Sequence, residues 1–271
     1  MRKHLYVDGV DLATYGVYCS GQGTFGSPAK VYAQYDVPGK NGITLGMYSK
    51  FENIEVTYPC FVYANFSTNM ASLRSFLLSR DGYVEVKDDY HTDEIRLGFF
   101  AAPIVPEVTT KNDAGSFDLV FNCLPQRYLT TGQTATTITT ATIFTNPTQF
   151  PAKPLLRVYG TGRVGVESAP SIGETLRNIY ITDAALTSTT PHATYVDVDC
   201  EAMTFYNSKG MNVARYCSVT DFLDQNYGVD LPQLWPAPKA TDGKSSVGFT
   251  PGVGDTYPIT KVDVTPRWWR L

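Results

Sequence analysis

The stretch LRVYGTGRVGV, residues 156–166, decides between two fold classes. Its residues 160–165 read GTGRVG, which matches the G-x-G-x-x-G pattern of dinucleotide-binding proteins. A dinucleotide site needs a helix N-terminus directly after the glycines, because the pyrophosphate binds there. Pro170 and Gly173 oppose such a helix. Apolar residues alternate with polar or small ones on both sides of the glycines, so the stretch predicts a β-hairpin with the glycines in its turn.

A second match to the same pattern, GQGTFG at residues 21–26, is followed by Ser27 and Pro28 and then by another alternating run. It also lacks the helix that a phosphate would need. Neither glycine motif is therefore predicted to bind a nucleotide.

The composition favours a folded, β-rich chain. With 271 residues, the length suggests about two domains. Hydrophobic residues make up 43%, which is ample for a core, and charged residues make up 18%, which is low for a disordered chain. The 18 tyrosines, 14 phenylalanines and abundant threonine suit pleated, half-buried surfaces. The net charge of −4 opposes binding to duplex DNA or an anionic membrane through bulk charge.

Cysteine usage and the N-terminus bear on the compartment. The five cysteines are widely spaced and never form a C-x-x-C pair, so neither a disulfide framework nor a zinc site is predicted. The N-terminal MRKHLYVDGVDLATYGV lacks the apolar core of a signal peptide, and no apolar run approaches the ~20 residues of a membrane span. We expect a soluble protein that folds inside a cell.

The first half of the chain contains one helix among strands. Met70, Leu73 and Leu77 recur at helical spacing within residues 67–79, and Gly82 follows where a helix would end. KVYAQYDV (30–37), the turn PGKNG (38–42) and residues 43–47 predict a long hairpin that projects from the body. SFDLVFNC (116–123) predicts a core strand with alternate residues buried.

Residues 130–145 contain nine threonines in sixteen positions and few large apolar side chains. This composition predicts a domain boundary, although an exposed β-arm would have the same sequence character. The predicted organisation is an N-terminal domain at 1–130, a threonine-rich linker or arm at 131–145, and an all-β sandwich at 146–271.

Residue patterns that could carry chemistry are sparse. The three histidines have no neighbours at the spacing of a catalytic triad or a metal site. Asp197, Asp199 and Glu201 alternate in YVDVDCEAM; such carboxylates could serve glycoside hydrolysis or bind calcium, but a solvated strand face is the favoured interpretation. We therefore predict no catalytic residue, no metal site and no cofactor.

The last residues, PRWWRL (266–271), include Trp268 and Trp269. Two tryptophans at a terminus indicate a strand that is fixed into a sheet, since free termini fray. We expect a structural closing strand there; a binding surface is the alternative.

Several segments, in this order, together resemble the distal tail protein family of siphovirus-type bacteriophages. In the first half these are YVDGVDLATYGV, VPGKNG, YSKFENIEV, DGYVEVKDDY and SFDLVFNCLPQRYL. In the second half they are NPTQFPAKPLLRVYG, YVDVDCEAMTFYN and VTPRWWRL. One departure is LPQLWP (231–236), which runs into a long polar loop through Ser246, where the family has a short turn. The role of the loop at 236–250 is left open.

The resemblance implies a structural protein and not an enzyme. It implies a mainly β fold: an N-terminal β-barrel-like domain with one α-helix and a projecting hairpin, and a C-terminal galectin-like or carbohydrate-module-like β-sandwich. It also implies a homohexameric hub ring at the virion tail tip, assembled in the host bacterial cytoplasm. The implied partners are further copies of the chain, the tail tube protein and the tail-tip or baseplate proteins, with no membrane partner.

The alternative function is that of a carbohydrate-binding or adhesin protein, because a β-sandwich with exposed aromatic residues can stack on sugar rings. The glycan in question is undetermined. Self-assembly separates the two functions, since a hub must associate with itself and a binding module need not.

Two groups of residues follow from the ring interpretation. Subunit contacts are expected at the hairpin tip, formed by Pro38, Gly39, Lys40, Asn41 and Gly42. DNA would pass through the lumen without specific binding, so the wall should repel phosphates. The carboxylates expected to line it are Asp88, Asp89, Asp93 and Glu94.

Overall fold

Alternating apolar residues form strands through most of the chain, and the prediction of a mainly β protein is confirmed. The computed structural model describes residues 3–20, 24–100, 102–109, 113–167, 176–220, 231–234, 243–252 and 254–271. The chain divides into two units, Met1–Arg127 with Leu271, and Tyr128–Arg270. We call them the barrel unit and the sandwich unit.

The barrel unit contains ten strands and one α-helix among its described residues. The strands are β1 (Leu5–Val7), β2 (Val10–Asp11), β3 (Val17–Cys19), β4 (Lys30–Tyr35), β5 (Thr44–Phe51), β6 (Ile54–Val62), β7 (Val84–Asp88), β8 (Glu94–Phe100), β9 (Glu107–Thr109) and β10 (Ala114–Leu129, whose last two residues belong to the sandwich unit); the helix is α1 (Phe66–Leu78).

The main sheet of this unit curls into a barrel. Its strand order is β2-β1-β7-β8-β10-β6-β3, and β9 adds to β10. A bridge between Lys3, just before β1, and Cys19 in the end strand β3 brings the two sides of the sheet together, with the Cys19 N–H donating to the Lys3 carbonyl at 3.1 Å. Closure satisfies edge hydrogen bonds that an open sheet would leave exposed.

Strand β10 and helix α1 supply much of the barrel core. Along β10 the predicted face is buried, with Phe117, Leu119, Phe121 and Cys123 all inside. Helix α1 buries one stripe in the same cluster, formed by Phe66, Met70, Leu73 and Leu77. The prediction of a single helix over residues 67–79 of the first half differs from the observed one by one residue at each end.

The described residues of the sandwich unit form two five-stranded sheets around one core. Its elements are β11 (Thr136–Ile138), β12 (Thr142–Thr145), β13 (Leu155–Tyr159), β14 (Gly162–Glu167), β15 (Leu176–Ile181), the short helix α2 (Asp183–Thr187), β16 (Val196–Asp199), β17 (Thr204–Asn207), β18 (Cys217–Thr220), β19 (Lys244–Pro251), β20 (Lys261–Thr265) and β21 (Trp269–Arg270). The sheets have the orders β11-β20-β13-β16-β17 and β12-β19-β14-β15-β18. Leu156 and Val158 of one sheet and Val164 and Val166 of the other belong to the shared core.

The predicted hairpin at residues 156–166 is wrong. Strand β13 pairs with β16 and β20, whereas β14 pairs with β15 and β19, so the glycines carry the chain from one sheet to the other. Gly160 and Gly162 have φ values of 119° and 138°, which other residues rarely adopt. A Cβ on Gly162 would lie 2.6 Å from the Thr250 carbonyl oxygen. A strand, and not a helix N-terminus, follows these glycines.

The threonine-rich stretch also differs from its predicted role as a linker or exposed arm. Strand β11 pairs with β20 and β12 pairs with β19, so the stretch adds a strand to each sheet. Ile138 and Phe144 are buried in the core. Threonine suits half-exposed strands because it is β-branched, and two inward apolar side chains are enough to fix the stretch onto the sandwich.

The polar loop expected at 236–250 is partly a strand. Lys244, Ser245 and Ser246 of the expected loop at 236–250 belong to β19, while residues 235–242 lie outside the described part of the chain. Residues 21–23 of the second glycine motif lie outside it as well.

Candidate functional site

Strands β4 and β5 form a two-stranded sheet of their own. We call residues 30–51 the arm. Its pairing runs from Lys30 opposite Phe51 to Tyr35 opposite Thr44, with a register shift between Tyr32 and Gln34. All five tip residues, Pro38, Gly39, Lys40, Asn41 and Gly42, are exposed. The Lys40 N–H donates to the Val37 carbonyl at 3.0 Å, which closes the turn.

The arm exposes apolar side chains that a solvated hairpin would not need. Ile43 is 61% and Leu45 56% exposed, and the exposed set also includes Tyr32, Tyr35 and Val37. A Cβ on Gly46 would lie 2.9 Å from the Tyr35 ring, so glycine leaves room for that ring over the opposite strand. Two-stranded hairpins are marginal alone in water, and exposed apolar clusters mark interaction sites. The arm therefore has the character of a segment that packs against another surface.

Two arginines hold the chain just before the arm. Arg96 donates through Nη2 to the Thr24 carbonyl at 2.7 Å, and Arg127 donates through Nη2 to the Gly26 carbonyl at 2.7 Å. Thr24 and Arg96 are buried. Charged donors make short, strong hydrogen bonds, so these contacts fix the direction in which the chain leaves the barrel unit.

Glu94 and His91 lie beside these contacts. We call Thr24, His91, Glu94, Arg96 and Arg127 the root cluster. Glu94 Oε2 lies 3.5 Å from Arg127 Nη1 and 3.7 Å from His91 Nδ1. His91 Nε2 lies 3.1 Å from the Thr24 hydroxyl, and its ring contacts Phe25 with centroids 4.6 Å apart. The buried Glu94 carboxylate thus compensates the positive charge of Arg127, which donates to the Gly26 carbonyl.

Two of the four carboxylates expected to line a channel are inside the barrel unit. Asp88 is 6% and Glu94 4% exposed. Asp88 accepts hydrogen bonds from the Tyr58 hydroxyl at 3.0 Å and from the Tyr90 and His91 N–H groups at 2.8 Å. Burial and the Asp88 carboxylate raise the pKa of Tyr58 well above its ordinary value. Because assembly can only bury a side chain further, Asp88 and Glu94 cannot line an open channel.

The other two remain accessible. Asp89 is half-buried and accepts a hydrogen bond from the His4 N–H at 3.0 Å, and Asp93 is exposed. Of the four carboxylates predicted to line a channel, Asp89 and Asp93 stay candidates.

Comparison with solved structures matches the whole chain to a phage protein. The SPP1 Dit protein, described as a paradigm of the hub of the adsorption apparatus in phages that infect Gram-positive bacteria, matches with a TM-score of 0.61 and 15% identity over 99% of each chain. The chain has the Dit fold. The phage P2 baseplate in its activated conformation matches with TM-scores of 0.53 with Ca and 0.50 with Sr, at 9% and 10% identity over 97% of each chain. No protein-family model and no curated protein matches the sequence.

The Dit fold ends here in a strand that is fixed at several points. The Leu129 N–H donates to the Trp268 carbonyl and the Arg267 N–H donates to the Gly132 carbonyl, both at 2.8 Å. Trp268 is buried. Trp269 stacks on Phe150 with centroids 4.4 Å apart, and its indole N–H donates to the Pro151 carbonyl at 2.9 Å.

The carboxylates of YVDVDCEAM are paired and do not form a solvated strand face. Asp197 accepts two hydrogen bonds from Arg157 at 2.7 and 3.0 Å, and Asp199 accepts two from Arg267 at 2.7 and 2.9 Å. Glu201 accepts the Tyr128 hydroxyl hydrogen bond at 2.7 Å. Arg157 of β13 lies directly opposite Asp197 of β16, a cross-strand position at which opposite charges commonly pair, but the sequence does not show which strands are neighbours.

Other chemistry is sparse in the described part of the chain. There, no group of three His, Cys, Asp or Glu side chains is placed to hold a metal ion. His4 contacts Asp11 at 2.7 Å and His192 contacts the Tyr257 hydroxyl at 3.0 Å, so each serves a local hydrogen bond. Among the described helices, none combines the length and apolar character that a membrane crossing demands.

Proposed function

We propose that this protein is a structural component of a phage tail, six copies of which form a hub ring at the tail tip. The ring would join the tail tube to the baseplate or tail-tip proteins. The observation that carries the proposal is the match to the SPP1 Dit hub protein over 99% of both chains, which includes both units.

The surface of the barrel unit supports a role in assembly. A protein that worked alone would gain nothing from an arm with five exposed apolar side chains. The root cluster holds the chain just before the arm with two charge-assisted hydrogen bonds. An arm whose direction is fixed in advance loses less conformational freedom when it binds a partner. Tip residues Pro38, Gly39, Lys40, Asn41 and Gly42 are proposed to lie in the subunit interface.

Native mass spectrometry of the purified chain tests the proposal. Six copies of 29.9 kDa give a complex of about 179 kDa (6 × 29.9). The complex should also bind the tail tube protein and a tail-tip protein of the same phage at the same time, because they would occupy opposite ring faces. A chain that stays at 29.9 kDa at all concentrations, and binds neither protein, would overturn the proposal.

The lumen of such a ring would carry DNA without holding it. Asp89 and Asp93 are proposed to face the lumen, where carboxylates repel phosphates. The chain carries a net charge of −4, so six copies carry −24 (6 × −4). Fluorescence anisotropy with duplex DNA at low salt should show no saturable binding, and Asp93→Lys should introduce salt-sensitive binding if the placement is right.

The alternative function, carbohydrate binding, has a specific place on the sandwich unit. An open cavity of about 380 Å³ is lined by residues that include Arg163, Tyr180, Asp183 and Asp255. Next to it, Gly165 and Gly248 face each other across β14 and β19, which leaves the sheet surface there without side chains. A glycan array decides this alternative: a ligand lost on Arg163→Ala, in a chain that does not assemble, would favour it over the hub.

A further inference from the structure

We infer that the arm of one copy docks into a groove on the barrel unit of a second copy. The inference rests on the proposed ring and adds the surface that receives the arm. The groove has a volume of about 450 Å³ and is lined mainly by Pro59, Pro103, Val105, Glu107, Asp118 and Val120. We call these six residues the barrel groove.

The groove lies on the outer side of β6 and β10. Pro59 and Asp118 are directly opposite each other in the register of these strands, while their neighbours Cys60 and Phe117 are buried. The β10 residues of the groove therefore point away from the core, as alternation along a strand requires. The segment before β9 forms one wall, where Val105 is 74% exposed.

The arm and the barrel groove carry charges of opposite sign. The arm carries Lys30, Lys40 and Lys50 against Asp36, a net charge of +2 (3 − 1), in a chain whose net charge is −4. The groove carries Glu107 and Asp118, and its lining includes no lysine or arginine among the described residues. Neither carboxylate forms an ion pair with any other described residue. Opposite potentials of this kind steer partners together and fix their register.

The arm and the barrel groove also both expose apolar side chains. The arm exposes Ile43 and Leu45, and the groove exposes Val105, in the same copy. The arm therefore does not fill the groove of its own chain. Strand β4 has six residues and spans about 20 Å, which is long enough to reach a neighbouring molecule. A second copy provides the arm that the groove matches in both charge and apolar character.

The symmetry of the contact explains why it would give a ring. Arm and groove are different surfaces of one unit, so each copy offers both halves of the contact. Such a heterologous contact repeats head to tail and closes into a ring when the rotation permits. A self-complementary patch would instead stop at a dimer.

Two variants, one for each half of the contact, test the inference. The arm variant carries Ile43→Asp and Leu45→Asp, and the groove variant carries Val105→Arg and Asp118→Arg; all four positions are exposed. At a concentration where the wild type assembles, each variant alone should be a monomer, and its assembly should need at least a tenfold higher concentration. Controls are Met203→Asp and Ile143→Arg, exposed apolar positions of the sandwich unit that should leave assembly unchanged.

Mixing the two variants gives the decisive readout. Each mixed pair has one intact arm and one intact groove, so a 1:1 mixture should form a dimer of about 60 kDa (2 × 29.9) and nothing larger. A groove variant that assembles like the wild type overturns the inference, as does a mixture that remains monomeric. A groove variant that assembles normally but loses the tail tube protein also overturns it, since the occupant would then be the tube.

A milder pair keeps the test valid if a variant melts at a lower temperature than the wild type. Lys40→Glu should weaken assembly, and Asp118→Lys in the same chain should restore part of it. The same charge exchange can be made between Lys30, Lys40 or Lys50 and either Glu107 or Asp118. If none of these pairs restores assembly, the docking is contradicted. A wild-type chain that never assembles defeats the proposed hub instead, so the two failures are distinct.

Discussion

Arginine side chains fix the chain at places where strand pairing alone would leave it free. Arg96 and Arg127 hold the root of the arm through the Thr24 and Gly26 carbonyls. Arg267 holds the last strand through Asp199. In each case a planar cation makes charge-assisted hydrogen bonds, and the two with Asp199 are bidentate, which lysine could not reproduce.

The Arg267–Asp199 pair makes stability depend on acidity. Burial raises the pKa of Asp199, but hydrogen bonds from Arg267 and from the Ala202 N–H outweigh it and hold the pKa below its ordinary value. A carboxyl with a lowered folded-state pKa stabilises the fold above its unfolded pKa of about 3.9, and this stabilisation is lost as the pH falls through the folded value.

We therefore expect Asp199→Asn to lower the free energy of unfolding at pH 7 by about 1.5 kcal/mol, the low end for charged hydrogen bonds because the pair is partly exposed. Urea unfolding at pH 7 and pH 3 measures this, and the difference from wild type should shrink at pH 3. Asp36→Asn, at an exposed arm position, is the control. A difference that grows on acidification would contradict the assignment.

Gly162 is expected to be needed for sterics and not for a ligand. Gly162→Ala places a methyl group against the Thr250 carbonyl at a positive φ, and we expect a loss of about 2–3 kcal/mol in the free energy of unfolding. Gly39→Ala is the matched control, since its φ is also positive but nothing lies within 4 Å; it should cost about 1 kcal/mol. Calorimetry with NAD, FAD or ATP should give no saturable heat, and a micromolar affinity lost on Gly162→Ala would refute this interpretation.

At the scale of the element, the arm and the closing strand depend on contacts far away in sequence. The chain just before the arm is held by Arg127, about a hundred residues downstream, through the Gly26 carbonyl. The closing strand pairs with the end of β10, and Trp269 stacks on Phe150. Elements held by such distant contacts can loosen while the rest of their unit stays folded.

Arg127→Gln should loosen the arm without unfolding the barrel unit. The variant keeps a donor but loses the charge that Glu94 balances, so the hydrogen bond to Gly26 weakens. Hydrogen exchange should rise at residues 24–35, and assembly should need about a tenfold higher concentration. Arg74→Gln, which removes a contact within α1, is the control. Unchanged exchange in the arm would show that the clamp does not hold it.

Deleting residues 267–271 should destabilise the sandwich unit selectively. Loss of one large buried aromatic costs ~3–5 kcal/mol, a large share of a domain's ~5–15 kcal/mol. We expect the sandwich transition in calorimetry to fall sharply while the barrel unit melts as before and the ring persists. Trp269→Phe, which keeps the stacking but loses the hydrogen bond to Pro151, should have a small effect. An intact sandwich with a lost ring would place the tryptophans in the subunit interface instead.

What the sequence predicted well is local, and what it missed is not. The helix could be predicted from Met70, Leu73 and Leu77 alone, because the pattern and its ends lie within a few turns. The hairpin at β13 and β14 was mispredicted because alternation gives the strands but not their partners. Asp88 and Glu94 were expected on a channel wall because such a wall should repel phosphates, and nothing in their local sequence shows that they are buried. Tyr58 and Arg127, which stabilise them inside, are thirty or more residues away.

At the scale of the whole molecule, two units of different architecture would have different tasks. The arm, its root cluster and the barrel groove all lie in the barrel unit, so ring formation is proposed to need residues 1–130. The sandwich unit is proposed to be an independent domain that is not required for the ring. Its short helix α2 and its two edge strands from the threonine-rich stretch contribute buried side chains to its core.

Negative-stain electron microscopy of the purified chain tests the central claim most directly. Class averages should show closed rings with six-fold symmetry and a central hole, because six head-to-tail contacts return to the starting subunit. The groove variant, imaged beside the wild type at equal concentration, should show single particles only. Isolated particles, two-fold dimers or open filaments from the wild-type chain would contradict the hub.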